Sequence, residues 1–249
     1  MPKFATETEM DNHIIGGSTF HFSGAKIESL GATEYTLGTI VVDGSGSVSP
    51  FWGQIVAAIK TVVQACRRNP RADNMLLRVV VFDDKVQEIH GFKPLADCNE
   101  DDYNLPLPGG TTALYDAAYT AIKASTAYGK QLTDAEFAVN AAVFVLTDGQ
   151  NCAGKSTPKM VADALLEAKT SESLESIMPV LIGVGSGSDA GSLDTYLEDF
   201  KTTAGFLQYV AVNTATEKDL AKLGGFISQS ISSQSKSLGS NGPSKALTF

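Results

Sequence analysis

Asp43, Ser45 and Ser47 stand on alternate residues at the end of the run Thr36-Leu-Gly-Thr-Ile-Val-Val-Asp43-Gly-Ser-Gly-Ser47. If one carboxylate and two hydroxyls converge there, they form an all-oxygen donor set of the kind that suits a hard divalent cation, Mg2+ or else Mn2+ or Ca2+. Asp, Gly and Ser are also ordinary turn residues, so the motif gains meaning only if further oxygen ligands lie elsewhere. Two other stretches supply them. Pro108-Gly-Gly-Thr-Thr-Ala-Leu-Tyr-Asp116 carries Thr111 and Thr112 on a glycine-rich loop just ahead of a helix, and Val143-Phe-Val-Leu-Thr-Asp148-Gly ends a second apolar run on an aspartate.

The elements that must position these groups follow from the periodicity of the chain. Predominantly apolar runs at about 36–42, 76–82 (with Arg78 inside it), 142–147, 177–184 and 207–212 read as buried strands, and Asp83-Asp84 turns the second of them into a short antiparallel return at 86–89. Between them lie helices at about 50–68 (Ser49 as N-cap, Pro50 at N1), 113–127, 158–170 (Thr157 as N-cap, Pro158 at N1), 190–203 and 216–235, with a further short helix within 129–140. The alternation predicts an α/β fold: a doubly wound, mostly parallel six-stranded sheet with one antiparallel edge strand and helices on both faces. Parallel strands and their following loops share the carboxyl edge of such a sheet. Asp43, Ser45, Ser47, a threonine and Asp148 therefore meet in one crevice. Residues 1–35 show no sustained period and read as an arm packing on the domain; 36–234 form the α/β body, and 235–249 a flexible Ser/Gly-rich tail.

The three pieces, in this order, resemble the von Willebrand factor A domain family, whose metal-ion-dependent adhesion site (MIDAS) is Asp-x-Ser-x-Ser, a downstream threonine, then the aspartate of Thr-Asp-Gly. The resemblance spans residues 36–232. It implies that Ser45 and Ser47 bind the metal directly, and that Asp43 and Asp148 act mostly through bound waters. It also implies that the threonine binds directly or through water. Counted back from Leu114-Tyr-Asp-Ala117, Thr112 falls in the family's register rather than Thr111. The implied function is a non-catalytic protein-binding module in which a partner's Glu or Asp completes the coordination of Mg2+. The implied setting is a stand-alone bacterial or phage protein working beside a ring-shaped ATPase or an assembly complex.

Composition narrows the alternatives. Twenty-eight acidic against nineteen basic residues give a formal net charge of −9, a poor surface for nucleic acid. No stretch has the roughly 18 apolar residues of a membrane span, and the acidic N-terminus is unlike a signal peptide. Cys66, Cys98 and Cys152 have no Cys-x-x-Cys spacing and read as free thiols of a cytoplasmic protein; the three histidines do not complete a zinc site with them. No Gly-x-Ser-x-Gly elbow supports a serine hydrolase. The leading enzyme alternative is a P-loop NTPase, because Gly149-Gln-Asn-Cys-Ala-Gly-Lys-Ser156 fits Gly-x4-Gly-Lys-Ser between a strand and a helix. Against it, Thr157-Pro158 reads as the start of the helix, so the lysine precedes it, and the two serines and the Gly-Gly-Thr-Thr loop are left without a role.

Overall fold

Mostly β-branched and aliphatic side chains fill the centre of the sheet, with Arg78 the charged exception in mid-strand. The computed structural model describes residues 9–15, 20–185, 190–212, 214, 216–238 and 247–249. Among them the chain forms strands β1 (Met10–Ile14), β2 (His21–Ala25), β3 (Glu34–Asp43), β4 (Met75–Phe82), β5 (Val86–Pro94), β6 (Ala138–Thr147), β7 (Ile177–Val184) and β8 (Gln208–Val212). The helices are α1 (Trp52–Arg67), α2 (Leu114–Asp134), α3 (Pro158–Thr170), α4 (Ala190–Ala204) and α5 (Glu217–Ser237).

The strands lie in the order β1-β2-β5-β4-β3-β6-β7-β8. β3 is central and runs parallel to both β4 (Asp43 opposite Phe82) and β6 (Val42 opposite Leu146), which brings the carboxyl ends of β3 and β6 side by side. Alternate residues of the inner strands serve two cores. Leu37, Val41, Val80, Val143 and Leu181 face α2, α3 and α4, while Ile40, Val42, Val79, Phe144 and Val180 face α1 and α5. A sheet covered on both faces explains why these strands read as continuous apolar runs and not as alternating ones.

Four sequence expectations are corrected. The sheet has eight strands, not six, because residues 10–25 contribute an antiparallel ribbon, β1–β2, whose second strand runs parallel to β5. Backbone approach hides this ribbon from a hydrophobicity reading. A β-carbon on Gly91 would lie 2.0 Å from the Ser23 carbonyl oxygen, and one on Gly24 would lie 2.6 Å from the Tyr128 ring. Only glycine lets the ribbon dock there, with Phe22 packed against Phe92 and Tyr128. It follows that antiparallel β5 is not an edge; β1 and β8 are. α1 starts at Trp52 instead of Pro50: Gly46–Phe51 is a 3-10 turn, and the Ser49 hydroxyl donates back to the Gly46 carbonyl (2.8 Å) without capping a helix. Finally, α2 continues to Asp134 without a separate short helix, Gly129 lying where the Leu174 side chain approaches a would-be β-carbon to 2.4 Å.

At the other end, α5 runs into the expected tail, and the last residues pack on it: the Phe249 ring lies edge-on to Phe226 (5.6 Å between centres) with Lys222 Nζ 4.4 Å above it. Residues 239–246, the Ser/Gly-rich part of the tail, fall outside the described residues. Cys66 and Cys98 are buried and Cys152 exposed, all as free thiols. Among the described residues no helix is long and apolar enough to cross a membrane.

Candidate metal centre

β3 delivers Asp43 to the sheet's carboxyl edge almost fully buried (1% exposed), and the chain then turns so that Ser45 is buried and Ser47 exposed. Asp43 Oδ1 accepts the Ser45 backbone N–H (2.9 Å). Its Oδ2 accepts the hydroxyl of Thr147, at the end of β6 (2.6 Å). From Ser45 a chain of oxygens leads outward: Ser45 Oγ lies 3.1 Å from Ser47 Oγ, which donates to Asp148 Oδ1 (2.7 Å). Residues 101 positions apart are thus in direct contact, and four of the five sequence-predicted groups form one hydrogen-bonded array.

The glycine-rich loop closes over this array through the backbone. Gly109 N–H donates to the Gly44 carbonyl (2.8 Å) and Gly46 N–H to the Gly110 carbonyl (3.3 Å), with Gly110 in the left-handed region (φ 73°). Thr112 is buried and Thr111 exposed. Thr112 Oγ1 comes within 3.5 Å of where a β-carbon on Gly149 would sit, so it faces the residue next to Asp148. Its backbone is clamped by Cys152, whose Sγ accepts the Thr112 N–H (3.3 Å) and whose N–H donates to the Thr112 carbonyl (2.9 Å). Asp83, also at a strand end, accepts the Lys85 N–H (2.8 Å) and serves its own turn.

Electrostatically the array is short of positive charge. Burial pushes the Asp43 carboxyl up to about 6, against the hydrogen bonds from Thr147 and Ser45, and nearby Asp148 pushes it further the same way. Burial also raises Asp148, opposed by the Ser47 hydrogen bond. Two carboxylates that resist ionisation for want of a counter-charge, bridged by hydroxyls, are what a bound cation would relieve. Among the described residues no three His, Cys, Asp or Glu side chains converge. A cation here would therefore rely on hydroxyl oxygens, a hard and nearly neutral donor set.

Sequence reasoning gave Thr147 and Asp116 no role of their own. Thr147 is the threonine of Thr-Asp-Gly and orients Asp43. Asp116, in the first turn of α2, settles the use of the P-loop-like segment. Its Oδ1 accepts the backbone N–H of Lys155 (3.1 Å) and of Ser156 (2.7 Å). A β-carbon on Gly154 (φ 93°) would come within 2.7 Å of the same carboxylate. Two of the amides that would cradle a phosphate are engaged by an internal anion, and α3 opens only at Pro158, where Thr157 Oγ1 accepts the Met160 N–H (3.3 Å). The helix N-terminus and Lys155 are thus not arranged as a nucleotide site requires.

No family model matches the chain, and no curated protein matches it. Solved structures do match. Proximal thread matrix protein 1 from the mussel byssus aligns at 21% identity and TM-score 0.54, over 79% of this chain and 46% of that one. A further structure of the mussel protein, at 22% identity and TM-score 0.53 with the same coverage, carries a zinc-occupied MIDAS motif. The PilB minor pilin from Streptococcus sanguinis aligns at 15% identity and TM-score 0.55, over 84% of this chain and 64% of the pilin. An aerotolerance-related membrane protein from Bacteroides fragilis aligns at 15% and 0.52, over 79% and 98%. The chain thus spans less than half of the mussel protein and under two thirds of the pilin. At these identities the likeness is one of fold alone, an α/β fold that resembles the von Willebrand factor A domain.

Proposed function

We propose that this protein is a metal-dependent protein-binding module, in which Ser45, Ser47 and Thr112 hold a divalent cation, Mg2+ first among the candidates, and Asp43 and Asp148 support it. The observation that carries the reading is the contact of Ser47 with Asp148 across two strand ends, beside a buried Asp43 whose charge lacks compensation. A bound cation would act as a Lewis acid toward an incoming carboxylate. The chain's own contribution is to fix the hydroxyls, to leave Ser47 open to solvent and to hold the two carboxylates beside them by hydrogen bonds from Thr147, Ser45 and Ser47. The partner in this reading is a protein that offers a Glu or Asp, within an assembly complex or on a ring-shaped ATPase. The setting is bacterial or phage and cytoplasmic, where three free thiols persist. No catalytic step belongs to it. The zinc-occupied MIDAS of the mussel protein supports a divalent ion in such a fold.

The test is thermal unfolding of the whole chain in chelator, then with Mg2+ or Mn2+. The Ser45→Ala/Ser47→Ala double variant loses the metal-induced rise in Tm, whereas Lys155→Ala keeps it. Metal stabilisation that survives in the serine variant refutes the proposal. Partner capture that persists in chelator refutes the metal-dependent part of it.

A further inference from the structure

Arg78 is the largest of the fully buried side chains, 1% exposed in the middle of β4. Its Nε donates to Glu88 Oε2 (2.6 Å), and the guanidinium lies over the Phe92 ring, 5.9 Å from its centre. Among the described residues Nη1 has no hydrogen-bond partner. Glu88 takes three hydrogen bonds: its Oε1 accepts both the Ser23 N–H (2.9 Å) and the Ser23 hydroxyl (2.6 Å), and its Oε2 that of Arg78 Nε. It does not reach Nη1, so the guanidinium keeps an idle donor. A buried charged donor without an acceptor is costly, and such groups in native proteins call for an explanation.

Arg78 also lines a cleft of about 240 Å3, between the N-terminal ribbon, the β4–β5 pair and α2. Its polar lining includes Glu88 and the exposed Asn12 and His21, which leave it open to solvent; its apolar lining includes Phe22 and Val86. Thr120, on the α2 side, gives its hydroxyl to the Asp116 carbonyl and so does not serve the arginine. The cleft is smaller than the roughly 300 Å3 at which drug-sized ligand sites begin. It is also apart from the Asp43 crevice, in the middle of the sheet and not at its carboxyl edge.

We propose that this cleft binds a small monocarboxylic acid with a short apolar body. Its carboxylate accepts from the Arg78 guanidinium, and its body lies against Phe22 and Val86. A carboxylate matches the planar donor edge of a guanidinium. Phosphate is disfavoured by its greater charge beside Glu88 and by the apolar walls.

The probe is isobutyrate, titrated into the wild-type chain while the Arg78 Nε–H resonance is followed by NMR, with isobutyramide and inorganic phosphate as parallel arms. The expected result is a saturable shift with isobutyrate, with affinity at least about tenfold above that of the neutral amide, since a charge-assisted bond is lost with the amide. Sodium chloride at the same ionic strength gives no such shift. Arg78→Met, a replacement of similar length, removes the isobutyrate-induced rise in Tm; if that variant does not fold, the wild-type titration decides alone. Equal affinity for the amide, tighter binding of phosphate, or a shift no larger than that of chloride overturns the proposal. So does a crystal grown in isobutyrate in which Nη1 meets only an ordered water.

Discussion

Removal of Glu88 should be rescued by removal of its partner. In Glu88→Ala the Arg78 charge, which burial already disfavours, loses its counter-ion, and Ser23 loses both acceptor contacts that hold β2 to β5. Breaking one side of a buried pair costs about 3–5 kcal/mol, because the remaining charge is stranded. Arg78→Met removes the charge together with the idle Nη1 and leaves Glu88 its Ser23 contacts and partial access to water (19% exposed). That change strands only a carboxylate that is partly in water, so it should cost less than Glu88→Ala, about 1–2 kcal/mol, whereas apolar replacement of both members of a buried pair is often near neutral. The double variant Arg78→Met/Glu88→Ala should therefore be more stable than Glu88→Ala alone, by about 2 kcal/mol or more. Urea unfolding at pH 7 in a buffer free of carboxylic acids measures all four corners of this cycle. A double variant as unstable as Glu88→Ala, or more so, would refute the argument that stranded charge and not lost packing sets the cost.

Two further outcomes follow from the same region. Gly91→Ala places a methyl against the Ser23 carbonyl, so β2 must part from β5. Hydrogen exchange should show β1 and β2 losing protection while β3 and β6 keep theirs, and uniform loss across the sheet would contradict this. His90 is half-buried and neutral, with Nδ1 2.9 Å from the Gly91 carbonyl and Nε2 3.0 Å from the Tyr103 hydroxyl, and desolvation lowers its pKa from 6.5 to about 4. The unfolded chain then takes up the proton first as pH falls, so stability drops between pH 6.5 and about 4, by about 3 kcal/mol, and levels off below. In His90→Gln the pH slope over that window should be correspondingly shallower; identical slopes in the two proteins exclude His90 as its source.

The parts of the fold legible in the sequence are those where one physical signal dominates. β7 (Ile177–Val184) is legible residue for residue, as a strand buried on both faces with no competing polar group. Thr157-Pro158 marks the start of α3 because the hydroxyl can accept a free amide of the first turn and proline lacks only an N–H that the helix does not use there. Asp43, Ser45, Ser47 and Asp148 could be brought together on paper because parallel strands must end on one edge. What escaped depends on contacts between distant residues. The β1–β2 ribbon needs Gly91 and Gly24 as gaps for its neighbours, and a glycine in sequence does not say what fills the gap. The start of α1 slid past Pro50 because the chain leaving Ser47 tightens into a 3-10 turn. The resemblance of Gly149–Ser156 to a phosphate loop is real in letters, but Asp116, 33 residues upstream of Gly149, already occupies two of its amides.

The placement of β3 and β6 also bears on how the molecule ages and is cut. Both lie inside the order β1-β2-β5-β4-β3-β6-β7-β8, so fraying must undo four ladders from the β1 margin to free β3, or two from the β8 margin to free β6, before it reaches Asp43 or Asp148. A protease that nicks the amino-terminal hairpin, or a lesion that loosens β8, should leave a fragment whose cation-binding rim is still assembled. In such a design the periphery is expendable and can diverge freely, while the rim inherits the durability of the midline.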